Sequence, residues 1–190
     1  MDFIFIIVMG GLWGSFANVC IYRLPQEKGV VSGRSYCPKC KTQISWYDNI
    51  PILSYLFIQG KCRKCKKQIS IQYLIVELLS VLSFVIAYFF YGITITTLLF
   101  IILALTFIII FFIDLKHYII PNGLTFPLMF IGFIKSFDPN LNELFPNYIN
   151  SLIGGVFGYG IILAIIFIYK VLRNKEGMGL GDAKLLSAIG

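Results

Sequence analysis

Leu98-Leu99-Phe100-Ile101-Ile102-Leu103-Ala104-Leu105-Thr106-Phe107-Ile108-Ile109-Ile110-Phe111-Phe112-Ile113-Asp114 is the stretch from which the fold can be read. Thr106 is its one polar side chain before the run ends on a carboxylate. About 20 apolar residues make one helical crossing of a bilayer, and this run with its flanks reaches that length. The whole chain agrees with it. Of its 190 residues, 58% are hydrophobic and 13% charged, and the mean hydropathy is +0.83. A soluble domain carries about 25% charged residues. The chain reads as an all-α polytopic membrane protein.

Working outward, apolar runs fall at Phe3 to Ile21, Ile71 to Tyr91, Ile93 to Ile113, Tyr118 to Ile134 and Ile149 to Val171. A sixth begins near Ala183 and reaches only Gly190. The expectation is about five complete transmembrane helices and the start of a sixth. Residues 1–21 form the first helix, 22–70 a polar loop domain and 71–190 the remaining membrane domain. Gly92 leaves room only for a tight antiparallel hairpin. Pro121 falls in the first turn of the fourth span, where its missing N–H matters little. The polar segment 136–148, with Pro139 and Pro146, reads as a loop. No internal repeat is apparent. Phe3 to Val19 has no basic segment before it and no small-x-small cleavage site, so it reads as a retained helix rather than a signal peptide.

Positive charge gives the orientation. The net charge is +7. Alternating spans place 22–70, 114–117 and 172–182 on one side, with Lys184 at a helix end. Of the 16 Lys and Arg residues, only Lys135 then falls on the opposite side. Those loops are predicted to be cytoplasmic, with the N-terminus outside. Topology therefore accounts for the basic charge, and no nucleic-acid partner is expected.

The same count puts Asp114 and Asp182 at one depth, both at cytoplasmic helix ends. Structural roles exist for each: Asp114 solvated or paired with Lys116, and Asp182 capping a helix N-terminus. Two carboxylates brought within hydrogen-bond distance cannot both ionise easily and share a proton. One becomes a base for water and the other an acid, which is aspartyl-protease chemistry. Gly177, Gly179 and Gly181 precede Asp182 and would let an extended substrate backbone lie alongside, as a strand pairs with an edge. The single histidine, His117, lies near Asp114 and reads as an interfacial helix-end residue.

Four cysteines form two pairs, Cys37-Pro38-Lys39-Cys40 and Cys62-Arg63-Lys64-Cys65, inside the basic loop. The cytosol disfavours structural disulfides, and four thiolates at this spacing suit tetrahedral Zn2+. A metal would hold a loop too poor in apolar surface to fold alone. A redox pair and a metal-free set remain open. Cys20, at the end of the first span, reads as a small buried apolar residue. Trp46 to Ser54, between the pairs, reads as a turn packing the loop on the membrane face.

Several of these motifs resemble the type IV prepilin peptidases. Gly179-Leu180-Gly181-Asp182 with Ala183-Lys184-Leu185 is similar to that family's GxGD signature. Asp114 to Asn122 with Leu124-Thr125-Phe126-Pro127-Leu128 resembles its first-aspartate region. Gly14-Ser15-Phe16-Ala17-Asn18-Val19 and Arg23-Leu24-Pro25 resemble its N-terminal motif, and Glu77 matches a glutamate at the start of its second span. GxGD alone is shared with presenilin-type and signal-peptide-peptidase proteases, which lack the cysteine loop and the GSFxNV opening. The resemblance implies an inner-membrane enzyme of prokaryotes with two activities. It would cleave the short basic leader of prepilins or pseudopilins at the cytoplasmic face, with Asp114 and Asp182 as the dyad. It would then N-methylate the new N-terminal residue, commonly Phe, with S-adenosylmethionine. The N-terminal motif and the loop are tied to methyl transfer, which makes Asn18, Arg23 and Glu77 candidates; for Glu77, an anion suited to a helix start competes. Asn122 stands where the family often has Asp, which removes a third acid. The family continues past GxGD, whereas eight residues follow Asp182 here, so the expectation is a C-terminally short form with Asp182 poorly held.

Two other classes compete. A non-catalytic scaffold would use zinc and the aspartates structurally. A proton-coupled transporter would place acids near the midplane and show repeat symmetry.

Overall fold

The computed structural model describes residues 2–31, 35–137, 147–173 and 179–189. Arg34, Pro139, Pro146, Lys175, Gly177 and Gly190 lie outside them. The elements are α1 (Asp2–Arg23), α2 (Leu53–Phe57), α3 (Gln72–Tyr91), α4 (Ile95–His117), α5 (Asn122–Lys135), α6 (Tyr148–Arg173) and α7 (Leu180–Ile189), with short 3-10 turns at Leu24–Gln26 and Trp46–Asn49. Among the described residues no strand longer than an isolated bridge occurs. The chain divides into two compact units, Met1–Phe112 and Ile113–Gly190.

In the first unit, α1 and α3 touch backbone to backbone. A Cβ on Gly10 would lie 2.8 Å from Val81 Cα, and one on Gly14 would lie 2.7 Å from Glu77 Cα. Both glycines face α3, and Ala17, three residues further on, is buried, a small-residue spacing that lets membrane helices approach closely. Gly92 ends α3 at φ +61°, a left-handed conformation that glycine adopts without strain. Thr97 donates its hydroxyl to Gly92 O at 2.6 Å, and α4 starts three residues after the glycine. Phe84 and Ala87 of α3 then pack with Ile101 and Leu105 of α4, as the expected hairpin requires.

Contrary to the expectation of no internal repeat, the loop between α1 and α3 contains a short one. Cys37-Pro-Lys-Cys-Lys-Thr-Gln-Ile-Ser45 and Cys62-Arg-Lys-Cys-Lys-Lys-Gln-Ile-Ser70 share seven of nine residues. They fold alike. Each has a turn bonded from residue five back to its first cysteine, Lys41 N to Cys37 O and Lys66 N to Cys62 O. Each places that lysine at positive φ, 57° and 58°. Each closes with a bridge, Tyr36 with Gln43 and Lys61 with Gln68. Between them, Pro51 packs on Gly11, where a Cβ would stand 3.1 Å from the proline Cβ. Leu53 N–H donates to Pro51 O at 2.6 Å, and Ile52 between them has φ 62° and ψ −56°. This is the positive-φ γ-turn, the rare and strained form, on a β-branched residue that avoids it.

In the second unit, two expected boundaries move. Asp114 does not end α4. Its carbonyl accepts Tyr118 N–H at 2.9 Å, so the helix runs to His117 and takes in the segment read as a loop. The fourth span does not start at Tyr118. Tyr118 has φ 54°, and Pro121 is the residue before the helix, which starts at Asn122. Proline disfavours helical backbone at the residue before it. α5 has 14 residues, about 21 Å at 1.5 Å per residue, short of a 30 Å hydrocarbon core. Among the described residues four helices, α1, α3, α4 and α6, are long and apolar enough to cross a membrane. Gly155 and Gly158 on α6 face α7, with Cβ positions 3.2 Å from Ser187 O and 3.1 Å from Leu186 O.

Gly14→Leu is expected to push α1 off α3 and to lower stability by roughly 1–3 kcal/mol, the range for overpacking, read as a lower unfolding midpoint in detergent. Ile52→Gly should do the opposite. Relief of roughly 1–3 kcal/mol of backbone strain, less the entropy of a glycine, predicts a stability gain of about 1 kcal/mol, read as a higher unfolding midpoint.

Candidate functional site

Asp182 is the third residue of α7, half-buried, with its N–H on Gly179 O at 3.2 Å. The first turn of a helix carries partial positive charge that suits an anion. Asp114 is exposed, one turn before the end of α4. The start of α7 is pinned to the chain that leaves α4. A Cβ on Gly181 would lie 3.0 Å from Ile120 Cβ, so the glycine permits that approach. Lys184 donates to Asn122 Oδ1 at 2.9 Å, and its ammonium lies 5.5 Å from the Phe126 ring centre. Asn122, set aside above as a lost acid, is thus an acceptor that anchors α7. A Cβ on Gly179 would make only ordinary contacts, with Gly181 N at 3.8 Å and Asp182 Oδ2 at 3.9 Å. Although ten residues long, α7 is held on two sides, by α6 at Gly155 and Gly158 and by the 120–126 segment.

The two cysteine turns bring Cys37, Cys40, Cys62 and Cys65 together, every Sγ within 4.8 Å of the others. Cys37 to Cys65 and Cys40 to Cys62 are each 3.9 Å. Tetrahedral coordination with metal–sulfur bonds of about 2.3 Å sets sulfurs about 3.8 Å apart. The thiols differ in how readily they give up their protons. The Thr42 hydroxyl and then its backbone N–H hold the Cys40 thiol down to about 6. At Cys65 the Lys67 backbone N–H favours the thiolate, but desolvation and the three neighbouring thiols override it and push the group up to about 11. Arg63 fixes the second turn against the 3-10 turn before α2, gripping Asp48 through Nη2 at 2.7 Å and Nε at 3.0 and 3.1 Å, with its guanidinium 5.6 Å from the Tyr47 ring centre.

A second polar group lies where α1 crosses α3. Glu77 is 9% exposed, and its Oε2 accepts the Ile52 N–H at 2.7 Å. Asn18, 4% exposed, donates Nδ2 to Tyr73 O at 3.0 Å, and its Oδ1 has no partner among the described residues. Arg23, the last residue of α1, donates to Gly29 O at 3.1 Å. Cys20 is buried, as expected. One helical turn from Asn18, Tyr22 joins Tyr36, Pro38, Lys41 and Gln43 around an open cleft of about 470 Å³. The cleft and the strained Ile52 turn were not foreseen; the only sequence signal for the turn was the Asn49-Ile50-Pro51 punctuation.

The chain matches two family models, "Bacterial Peptidase A24 N-terminal domain" over residues 8–91 and "Type IV leader peptidase family" over residues 100–190. A Vibrio cholerae prepilin leader peptidase/N-methyltransferase is 39% identical, over 100% of this chain and 78% of the relative. Proteins of the same name from Klebsiella pneumoniae and Neisseria gonorrhoeae are 35% and 36% identical, over 98% and 96% of this chain and 82% and 71% of theirs. No solved structure matches the chain. With both halves matched and relatives of this identity along almost its whole length, the chain belongs to the type IV leader peptidase family.

Proposed function

We propose that this protein removes the short basic leader from type IV prepilins or pseudopilins and methylates the amino group so exposed. The observation that carries the peptidase half is the pinning of α7 to the 120–126 segment, through Gly181 on Ile120 and Lys184 on Asn122. It brings the GxGD segment to the chain that follows Asp114. Asp114 and Asp182 act as the dyad. The ionised carboxylate takes a proton from water as the oxygen attacks the scissile carbonyl. The protonated carboxyl hydrogen-bonds the carbonyl oxygen and stabilises the charge that develops there. Proton return to the leaving nitrogen completes cleavage. Gly179, whose Cβ position meets nothing closer than 3.8 Å, leaves the substrate backbone room beside Asp182, and Gly181 lets the segment seat against Ile120. The dyad faces the cytoplasm of a prokaryotic inner membrane, with the N-terminus outside and the cysteine loop on the cytoplasmic side, as the positive-charge bias supports.

The cysteine loop holds Zn2+ in a structural role, which the sulfur spacing supports. S-adenosylmethionine, when bound, supplies an electrophilic methyl group on a sulfonium. The cleft at Tyr22, Tyr36 and Lys41 has the size for a ligand of that class, with aromatic faces for a base to stack on. Asn18 lies one helical turn before Tyr22 on α1, Glu77 lies on α3, and Arg23 closes α1.

Asp114→Asn and Asp182→Asn are each expected to lower prepilin cleavage by at least about 10³-fold, since a lone carboxyl cannot serve as both base and acid. Gel analysis of a co-expressed prepilin in membranes measures this, and undiminished cleavage in either variant would remove the dyad. Metal analysis of the purified protein is expected to give one zinc per chain, lost in Cys37→Ser and Cys62→Ser; equal zinc in the variants would refute the site.

A further inference from the structure

Asn18 carries an unsatisfied oxygen in a buried place. Its orientation is fixed, because Tyr73 O only accepts hydrogen bonds and so must face the amide nitrogen. The Oδ1 is left pointing at no donor among the described residues. Buried orphan acceptors are rare, and each asks for an explanation. Glu77 belongs to the same crossing. Its Cα packs on Gly14, one turn before Asn18 on α1, and it lies one turn after Tyr73 on α3. The crossing thus offers an anion and a neutral oxygen acceptor, with one backbone N–H supplied to Glu77 by a strained turn. An ionised carboxylate accepts about four hydrogen bonds. The arrangement wants a compact cation rich in N–H donors.

We infer that Asn18 and Glu77 form a binding site for a primary ammonium group, in which the Ile52 N–H stands in for the ligand when the site is empty. The inference rests on the function proposed above and names what that function places there: the α-ammonium freed when the leader is cut. Such a group offers three donors and a positive charge, one donor for Asn18 Oδ1 and the others for the Glu77 carboxylate. It also needs a base, since an ammonium has no lone pair to methylate. Glu77 takes one proton, leaving a neutral amine and a neutral carboxyl. The strained turn lets the exchange occur. When the ammonium displaces the Ile52 N–H, Ile52 can leave its positive-φ conformation, so the lost hydrogen bond is offset by relief of backbone strain.

The test uses the full chain in lipid nanodiscs without a methyl donor. The probes are a dye-labelled peptide that begins with a free-amine Phe and the same peptide N-acetylated. Fluorescence anisotropy is expected to show the free amine bound at least about tenfold more tightly, the scale of a charge-assisted hydrogen bond. Glu77→Gln keeps the side-chain shape and an acceptor for the Ile52 N–H, so the loop stays closed, yet the preference should fall to about twofold or less. Asn18→Leu removes the orphan oxygen and should also reduce the preference. An unchanged preference in Glu77→Gln, or none in the wild type, overturns the inference. Leader cleavage in the same nanodiscs separates the two claims. Wild type that does not cleave refutes the peptidase reading, whereas wild type that cleaves without preferring the amine refutes only the ammonium site.

Discussion

Apolar side chains gain almost nothing by leaving lipid for each other, so helices in a bilayer associate where their backbones can come close enough to pack. That constraint shapes both units. Gly10 and Gly14 admit the α3 backbone at Val81 and Glu77, and Gly155 and Gly158 admit the α7 backbone at Leu186 and Ser187. The large apolar side chains are turned outward instead. Phe89, Phe157 and Phe167 are 81%, 67% and 68% exposed, which in water would mark an interface and in a bilayer is the lipid-facing surface.

Close crossings have a second consequence. They remove lipid from around short polar side chains, which then survive only with partners. Ser80, fully buried, returns its hydroxyl to Val76 O at 2.8 Å. Thr97 and Thr106 make similar backbone bonds. Against that background Asn18 and Glu77 differ. One has an acceptor without a donor among the described residues, and the other draws its donor from outside the helix pair. Local satisfaction is the rule for structural polar groups in this chain, and those two depart from it at one crossing.

The helices were legible because a bilayer imposes length and apolarity on them residue by residue; α3 and α6 start and stop within a residue or two of where hydropathy changes. The ends of α4 and α5 were not, because hydropathy does not register backbone conformation. Lys116 and His117 look like a loop yet continue the helix, while Tyr118 looks apolar yet leaves it. The cysteine cluster was legible from spacing, since two CxxC turns can converge on one ion. Lys184 meeting Asn122 was not, because 62 residues separate them and neither belongs to a periodic pattern. The Ile52 turn was hidden for another reason. A β-branched residue argues against positive φ, so composition pointed away from the conformation the fold imposes.

That turn shows what the cysteine loop does. Between Leu24 and Ile71 almost no apolar side chain is buried; Cys37 is the exception among the described residues. The segment has no core to enforce a strained conformation. Strain persists only where the surroundings over-determine it, and here the constraints are discrete. Two matching cysteine turns flank the segment, Arg63 grips Asp48 from the second of them, and the Tyr55 hydroxyl reaches Ile69 O at 3.4 Å. Pro51 seats on Gly11, and Glu77 takes the Ile52 N–H. A metal shared by the cysteine turns would fix the two ends of the segment relative to each other. The γ-turn would then be the one place in it with somewhere lower in energy to go. A small loop without a core can in this way store strain over a buried carboxylate, and release it when a better donor arrives.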